Sequence, residues 1–273
     1  MFGGGLEGYA PDCVRVGIIY ENVRPDFNTF DYALGFDYLQ FEDRYLRLPP
    51  WSRAWKSIGP PDRSDERLFD RDFCSLVHGN KQMGGERIEF MNRLSEYRAV
   101  ASGGSVANNI GYDIGPGQRN KVAFCWSYKF NIAFENSTTN GYTTEKIVNA
   151  FQSGSIPIYA GNPLVTRDFN PKAFINCNDF DGIDEVIERV REIDSDKELY
   201  MSMLAEDPLT DEGKAYLEDS YLTDFFDPIF EQGREGALRR MVNSWEARYN
   251  GEACYGARHF PAKAFGALRR GRL

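Results

Sequence analysis

The sequence has 273 residues, 42% of them apolar, which is enough chain for one large domain or two small ones with a sizeable core. Its formal net charge of -9 argues against a non-specific nucleic-acid-binding protein, because such proteins need a net basic face. No run of 18 or more apolar residues occurs, and the glycine-rich residues 1–10 do not resemble a signal peptide, so we expect a cytoplasmic protein without a transmembrane helix.

The cysteines and histidines restrict the possible chemistry. The five cysteines are widely spaced without a CxxC pair, which argues against a structural zinc site. Their odd number argues against a complete disulfide framework, so we expect free thiols. Only two histidines, His78 and His259, are available for histidine-based catalysis.

The first third of the chain contains few regular patterns. Residues 14–20 (VRVGIIY) form a short apolar run that predicts a strand. Residues 32–48 mix aromatic and charged side chains, and residues 51–70 are polar, charged and proline-containing, which predicts a linker or an exposed loop. A strand is then predicted at residues 73–77 and an amphipathic helix at residues 86–97.

Beyond residue 128, short apolar runs alternate with segments of helical periodicity. Such alternation predicts a parallel sheet covered by helices, and these sheets bind nucleotides at the carboxyl ends of their strands. We predict strands at residues 128–134, 155–159 and 174–177, and helices at residues 143–152, 183–193, 195–204 and 238–247.

The strongest local signal is the segment 128–163, which reads YKFNIAFENSTTNGYTTEKIVNAFQSGSIPIYAGNP. A predicted strand leads into a polar loop, and Thr144-Glu145-Lys146 begins a predicted helix. A helix N-terminus presents free N–H groups and a partial positive charge, which suits a diphosphate, and Lys146 adds a full charge. Glu145 could accept hydrogen bonds from a ribose diol. The alternative is that Thr143 or Thr144 is an ordinary N-cap and Glu145 a first-turn acid. The pattern alone favours this alternative, and spacing does not decide between the two.

Several stretches resemble the α-1,3-fucosyltransferase family. The segment 128–163 does so together with DFNPKAFIN (168–176) and DFDGIDEVIERV (179–190). Upstream, residues 20–49 resemble the family's acceptor-side motif, and residues 85–104 resemble the segment that links its two halves. The resemblance covers roughly residues 20–50 and 73–226.

The resemblance implies an α/β fold with two Rossmann-like domains facing across a cleft, the arrangement called GT-B. Only about a dozen residues precede Val14, so we expect a shortened N-terminal domain. We accordingly divide the chain into a partial N-terminal acceptor-side domain (1–100), a donor-binding Rossmann-like domain (101–226) and a helical, basic tail (227–273).

The resemblance also implies an activity. The expected reaction moves L-fucose from GDP-β-L-fucose to a glycan hydroxyl with inversion, and the expected acceptor position is the 3-hydroxyl of N-acetylglucosamine in N-acetyllactosamine-type glycans. The expected partners are therefore GDP-fucose and an oligosaccharide, with no nucleic acid. No metal site and no cofactor are predicted, although stimulation by Mn²⁺ is left open. The alternatives are an inactive or truncated GDP-sugar-binding relative and a transferase of another GDP-sugar.

The family motifs assign roles to particular residues. Glu21, in YEN, corresponds to the position proposed as general base, which would take the acceptor proton. Cations at the diphosphate would offset the charge of the departing GDP. Without the resemblance, Glu21 would be an ordinary loop glutamate and Arg87 a solvated helix-face arginine. The donor-binding residues implied by the motifs are Arg87, Glu135, Asn136, Tyr142, Glu145 and Lys146.

The last 19 residues, 255–273, are basic and contain no acidic residue. Together with Phe260, Phe265 and Leu268, these charges are compatible with peripheral contact to an anionic membrane. A disordered basic tail is the alternative that composition favours.

Overall fold

A computed structural model describes residues 13–57, 61–79 and 85–240. Its strands form two parallel sheets, one of three strands and one of five. The first sheet has the order β1-β2-β3, and the second has the order β5-β4-β6-β7-β8. The strands are β1 (Val16–Ile18), β2 (Tyr32–Gly35), β3 (Tyr45–Arg47), β4 (Asp72–Leu76), β5 (Val100–Ser102), β6 (Tyr128–Ile132), β7 (Ile156–Tyr159) and β8 (Ile175–Asn176).

Helices connect and cover these strands. None of the helices in the described ranges is long and apolar enough to cross a membrane. The helices are α1 (Pro50–Ser57), α2 (Gly85–Ser95), α3 (Gln118–Cys125), α4 (Glu145–Gln152), α5 (Ile183–Ser195), α6 (Lys197–Ala205), α7 (Asp211–Ala215), α8 (Asp219–Glu231) and α9 (Gly233–Ala237).

The second sheet is buried on both faces, which explains why its strands are short apolar runs rather than alternating ones. One face packs against α2, α5 and α6, through residues that include Leu94, Val190 and Leu204. The other core cluster joins Tyr159 of β7 to Ile147 of α4 and to α1. In the middle of the sheet, Cys74 of β4 lies opposite both Val100 and Phe130. This is a doubly wound α/β arrangement.

The strand order places a crevice at one point of the second sheet. The chain runs from β4 outward to β5 and then crosses back to β6 on the other side of β4. The connections that leave β4 and β6 therefore diverge, and the carboxyl ends of these two strands border an open space. Ligands of doubly wound sheets bind at such a switch point.

A buried ion pair joins the two sheets. Arg47, at the end of β3, donates to both carboxylate oxygens of Asp168, at 2.9 and 2.8 Å. The indole N–H of Trp51 in α1 donates to the same carboxylate at 2.9 Å, and the Tyr38 hydroxyl donates to it at 3.2 Å. Asp168 is fully buried, and Arg47 is nearly so. The first sheet and α1 are thus fixed against the segment that follows β7.

The predicted strands and helices are confirmed within the described residues, with ends that shift by at most two positions. The predicted helix at 238–247 falls almost entirely outside those residues, and the basic segment 255–273 falls entirely outside them. Residues 32–48, which received no element from the sequence, contain β2 and β3. These strands have four and three residues, too short for a clear periodicity.

The predicted linker at residues 51–70 was wrong. It contains α1 and a 3-10 helix, Glu66–Asp70. Trp51 is fully buried and Ala54 nearly so, and both pack in the core cluster that contains Phe151, while Arg53 and Lys56 face solvent. The charged residues lower the average hydropathy of the segment and conceal the two apolar positions that dock it.

The predicted domain boundaries at residues 100 and 226 lie within elements of the structure. Residue 100 begins β5, which pairs with β4 in the second sheet, and β4 pairs in turn with β6. The boundary at residue 226 falls inside α8, which is a continuous helix. Ile229 and Ala237 from this region pack with Tyr32 of the first sheet.

Breaking the ion pair between the sheets should make the protein much less stable. Asp168→Asn leaves Arg47 as a buried charge without its counterion, and we expect the free energy of unfolding to fall by about 3–5 kcal/mol. Glu212→Gln is the matched control, since it breaks the half-exposed Arg167–Glu212 pair at 2.8 Å and should cost less than about 1 kcal/mol. Urea denaturation measures both, and equal losses would contradict the assignment of Asp168.

Candidate active site

A cavity of about 180 Å³ lies at the switch point, and we call it the switch-point cavity. The residues that follow β4 and β6 form two of its walls, and the first turn of α4 and the side of α3 form the others. Its polar lining consists of His78, Arg87, Lys121, Asn131, Asn136, Glu145, Lys146 and Asn149.

A wider cleft of about 560 Å³ adjoins this cavity, and we call it the interdomain cleft. One wall comes from the first sheet and α1, with Tyr20, Glu21 and Arg53. The opposite wall comes from the β6–α4 segment and includes Tyr142. Asn136, Glu145 and Lys146 line both spaces, so the cleft and the cavity are continuous.

Glu135 holds the first turn of α4 in place. Its fully buried carboxylate accepts the backbone N–H of Thr144 at 2.6 Å and the Thr144 hydroxyl at 2.7 Å. It also accepts a charged hydrogen bond from Lys146 Nζ at 2.9 Å. A carboxylate at a helix N-terminus is favoured by the helix dipole and satisfies an N–H group that has no partner within the helix.

Arg87 is held by groups from both β4 and β6. Its Nε donates to the carbonyl of Phe134 at 3.1 Å and its Nη2 donates to Asn136 Oδ1 at 2.9 Å, while Nη1 lies 3.1 Å from His78 Nδ1. Burial lowers the pKa of the guanidinium, and the carboxylates of Glu135 and Glu86 oppose this effect. The result is a rigid cation aimed at the switch-point cavity.

Glu145 and Lys121 form an ion pair across the cavity mouth. Lys121 Nζ lies 3.4 Å from Glu145 Oε1, and each side chain is about one third exposed. Burial raises the pKa of Glu145, but Lys146 and Lys121 outweigh it, so the net pKa is lowered and the carboxylate is ionised at neutral pH. An ionised carboxylate is an acceptor for two hydroxyl groups.

Tyr142 is placed by the turn that precedes α4. Its ring packs edge-on against Phe36 of the first half, with centroids 5.1 Å apart. Burial raises the pKa of its phenol, and the carboxylates of Glu135, Glu21 and Glu145 raise it further, so the hydroxyl is a neutral hydrogen-bond donor.

Glu21 lies shortly after the end of β1, two positions before Val23. Its side chain is exposed on the opposite wall of the interdomain cleft.

This arrangement can bind an anion and act on a neighbouring group. The switch-point cavity presents Arg87, Lys146 and the N-terminus of α4, which together suit a diphosphate. The interdomain cleft places the Glu21 carboxylate on the far side of the same space, where it can accept a proton.

Six of the seven predicted site residues line these two spaces: Glu21, Arg87, Asn136, Tyr142, Glu145 and Lys146. Glu135 does not, because its oxygens are buried against Thr144 and Lys146. Its placement suits the positioning of Thr144 and Lys146, and the predicted donor contact stays a prediction.

Sequence reasoning missed Lys121, Arg53 and His78. Lys121 lies on α3, where the residues around it have no clear helical periodicity, and Arg53 lies in the segment read as a linker. His78 lies two residues after the end of β4, and its position directly after the predicted strand 73–77 was the signal that could have identified it.

Comparison with known proteins agrees with this geometry. The sequence model of the glycosyltransferase family 10 (fucosyltransferase) C-terminal region matches residues 70–205, and that of the α-(1,3)-fucosyltransferase FucT N-terminal domain matches residues 1–53. A crystal structure of an α1,3-fucosyltransferase has a TM-score of 0.73 at 33% identity, and the match covers 85% of this chain and 76% of that one. The chain belongs to the α-1,3-fucosyltransferase family.

Two other relatives extend the comparison. The α-(1,3)-fucosyltransferase FucT of Helicobacter pylori is 38% identical over 259 residues, covering 80% of this chain and 53% of the relative. This family member therefore spans about half the length of that curated relative. A crystal structure of α1,3-fucosyltransferase with GDP-fucose matches with a TM-score of 0.66 at 33% identity, covering 79% of this chain and 75% of that one.

Neutralising Glu135 should loosen the first turn of α4. Glu135→Gln replaces an acceptor-only group by an amide that cannot accept from Thr144 and Lys146 together, and we expect a loss of about 1–3 kcal/mol in the free energy of unfolding. Glu145→Gln, on the same turn but partly exposed, is the control and should lose less than about 1 kcal/mol. Chemical denaturation compares the two variants. An unchanged stability in Glu135→Gln would show that Glu135 does not hold the first turn of α4 in place.

Gly141 should tolerate no side chain. Its φ is +84°, and an added Cβ would lie 2.5 Å from the Phe36 carbonyl oxygen, so Gly141→Ala should lower the free energy of unfolding by about 1–3 kcal/mol. Gly111→Ala is the matched control, because its φ is also positive, at +78°, but no atom lies near its added Cβ. Thermal denaturation of the two variants separates the effect of backbone strain from that of the clash. Equal losses in the free energy of unfolding would show that Gly141 does not lie against the Phe36 carbonyl.

Proposed function

We propose that this protein transfers L-fucose from GDP-β-L-fucose to a glycan hydroxyl with inversion at the fucose C1. The observation that supports this proposal most strongly is the position of Glu21. It faces Tyr142, Glu145 and Lys146 across the interdomain cleft, which opens into the switch-point cavity. Family membership supports the donor, since one structurally similar relative is known with GDP-fucose.

In this proposal the donor lies along the β6–α4 wall. The diphosphate occupies the switch-point cavity, where Arg87 contacts it as a fork and Lys146 as a point charge. The N–H groups at the start of α4 add a partial positive charge. Glu145 accepts from the ribose diol, and the Tyr142 hydroxyl donates to the donor.

The transfer step requires a base opposite the leaving group. Glu21 takes the proton of the acceptor hydroxyl as its oxygen attacks C1 of fucose from the face away from the phosphate. The C1–O bond to GDP breaks, and the electron pair leaves with the diphosphate. Arg87 and Lys146 stabilise the charge that develops there, and the β-linked donor yields an α-linked product.

The proposed acceptor is an N-acetyllactosamine-type glycan, fucosylated at the 3-hydroxyl of N-acetylglucosamine. The α-(1,3) linkage named for the relatives supports the 3-hydroxyl. We also propose that the reaction needs no bound metal, because Arg87, Lys146 and the N-terminus of α4 supply positive charge at the diphosphate.

The second candidate is a GDP-sugar-binding protein without transfer activity. One observation favours it: the switch-point cavity is lined by Arg87, Glu145 and Lys146 without any residue of the first sheet. The two candidates share the donor site and differ only in turnover.

Glu21→Gln should abolish turnover and leave donor binding intact. Loss of a general base typically costs 10²- to 10⁴-fold, so we expect kcat to fall by about that factor while the Kd for GDP changes by less than about twofold. The measurements are calorimetric titration with GDP and GDP release from GDP-fucose in the presence of N-acetyllactosamine. Glu198→Gln, an exposed glutamate on α6, is the matched control.

The possible outcomes separate the candidates. GDP binding with acceptor-dependent release that requires Glu21 supports the transferase. GDP binding without release by the unmodified protein supports the second candidate. Full activity in Glu21→Gln would place the base elsewhere, and failure of the unmodified protein to bind GDP would reject both.

A further inference from the structure

The charges around the switch-point cavity nearly cancel when only the residues implied by the resemblance are counted. Arg87 and Lys146 are the two cations, but Lys146 is bound to Glu135 at 2.9 Å, and Glu145 adds a second carboxylate. The formal charges of these four side chains sum to zero, whereas a nucleoside diphosphate carries at least two negative charges. The partial charge of one short helix does not make up that difference.

Lys121 changes this balance. It is the other cation that lines the cavity among the described residues, and it stands on α3, opposite the first turn of α4. With it the charged lining residues, taken together with the buried Glu135 that pairs with Lys146, have a net charge of +1. In the interdomain cleft, the opposite charges of Arg53 and Glu21 cancel, so these residues do not supply the missing positive charge.

The contact that holds Lys121 is weak. Its Nζ lies 3.4 Å from Glu145 Oε1, beyond the usual range for a charged hydrogen bond. The two side chains are 34% and 38% exposed, and ion pairs in such surroundings contribute little. By comparison, Lys146 makes two bonds of 2.9 and 2.8 Å. A phosphate oxygen can therefore replace Glu145 as the partner of Lys121 at small cost.

We infer that Lys121 is a third phosphate-binding cation, which exchanges Glu145 for the diphosphate when the donor binds. The exchange also frees the Glu145 carboxylate for the ribose diol. This inference rests on the proposed function, because it requires a nucleoside diphosphate in the switch-point cavity.

A purely indirect role is the competing explanation. In that case Lys121 would only orient Glu145, and its removal would weaken binding through the ribose. The two roles differ in the part of the ligand that senses the lysine: the phosphates in the first case and the nucleoside in the second.

The test compares GDP with guanosine in calorimetric titrations, the latter by competition against GDP. Lys121→Met should weaken GDP binding by about 10- to 100-fold, the usual value of a charge-assisted hydrogen bond, and change guanosine binding by less than about twofold. Lys121→Arg should recover most of the affinity. Lys214→Met, which removes a half-exposed lysine that pairs with Asp207 and lines neither the cavity nor the cleft, should change neither affinity.

A second background checks the assignment. In Glu145→Gln protein, the loss caused by Lys121→Met should persist if the lysine contacts phosphate and vanish if it acts through Glu145. The inference is overturned if guanosine and GDP weaken equally, or if the loss vanishes in that background. Unchanged GDP affinity in Lys121→Met overturns it while leaving the proposed function in place, whereas no GDP binding by the unmodified protein rejects the donor site itself.

Discussion

The buried pair between Arg47 and Asp168 is the interaction on which the geometry of the site depends. It pins the end of β3 to the segment after β7, and Trp51 and Tyr38 bind the same carboxylate. Neither sheet contains a complete site by itself, because Glu21 follows β1 and the donor-side residues follow β4 and β6. This buried contact, together with the packing of Phe36 against Tyr142 and of α1 against α4, fixes the two walls of the interdomain cleft relative to each other.

A second level of organisation separates the carboxylates by burial. Glu135 is buried and bonded to Thr144 and Lys146, so its charge is used to order the helix start. Glu145 is partly exposed beside Lys121, and Glu21 is exposed on the opposite wall. Three acids near one space thus have three environments, and only the two accessible ones can meet a substrate.

The sequence predicted the second sheet better than the first, for physical reasons. The strands and helices from residue 128 onward are long enough, or apolar enough, to show their period, and the FEN and GYTTEK motifs lie where β6 ends and α4 begins. β2 and β3 have too few residues for a pattern, and α1 docks through two apolar positions among charges. The resemblance identified residues that touch the cavity, but Lys121 belongs to no such motif, and its importance follows from a charge balance that only the folded arrangement reveals.

The return of the chain to the first sheet has a consequence for how the protein is made. Asp31 is buried under Arg240, which lies 209 residues later, and Ile229 and Ala237 complete the core around Tyr32. During synthesis on the ribosome, the five-stranded sheet and the helices that cover it are complete once residue 205 has emerged, whereas the three-stranded sheet lacks part of its core until α8 and α9 have been made. We therefore expect the half that carries the proposed base to fold last, so that a nascent chain forms its nucleotide pocket before it positions Glu21.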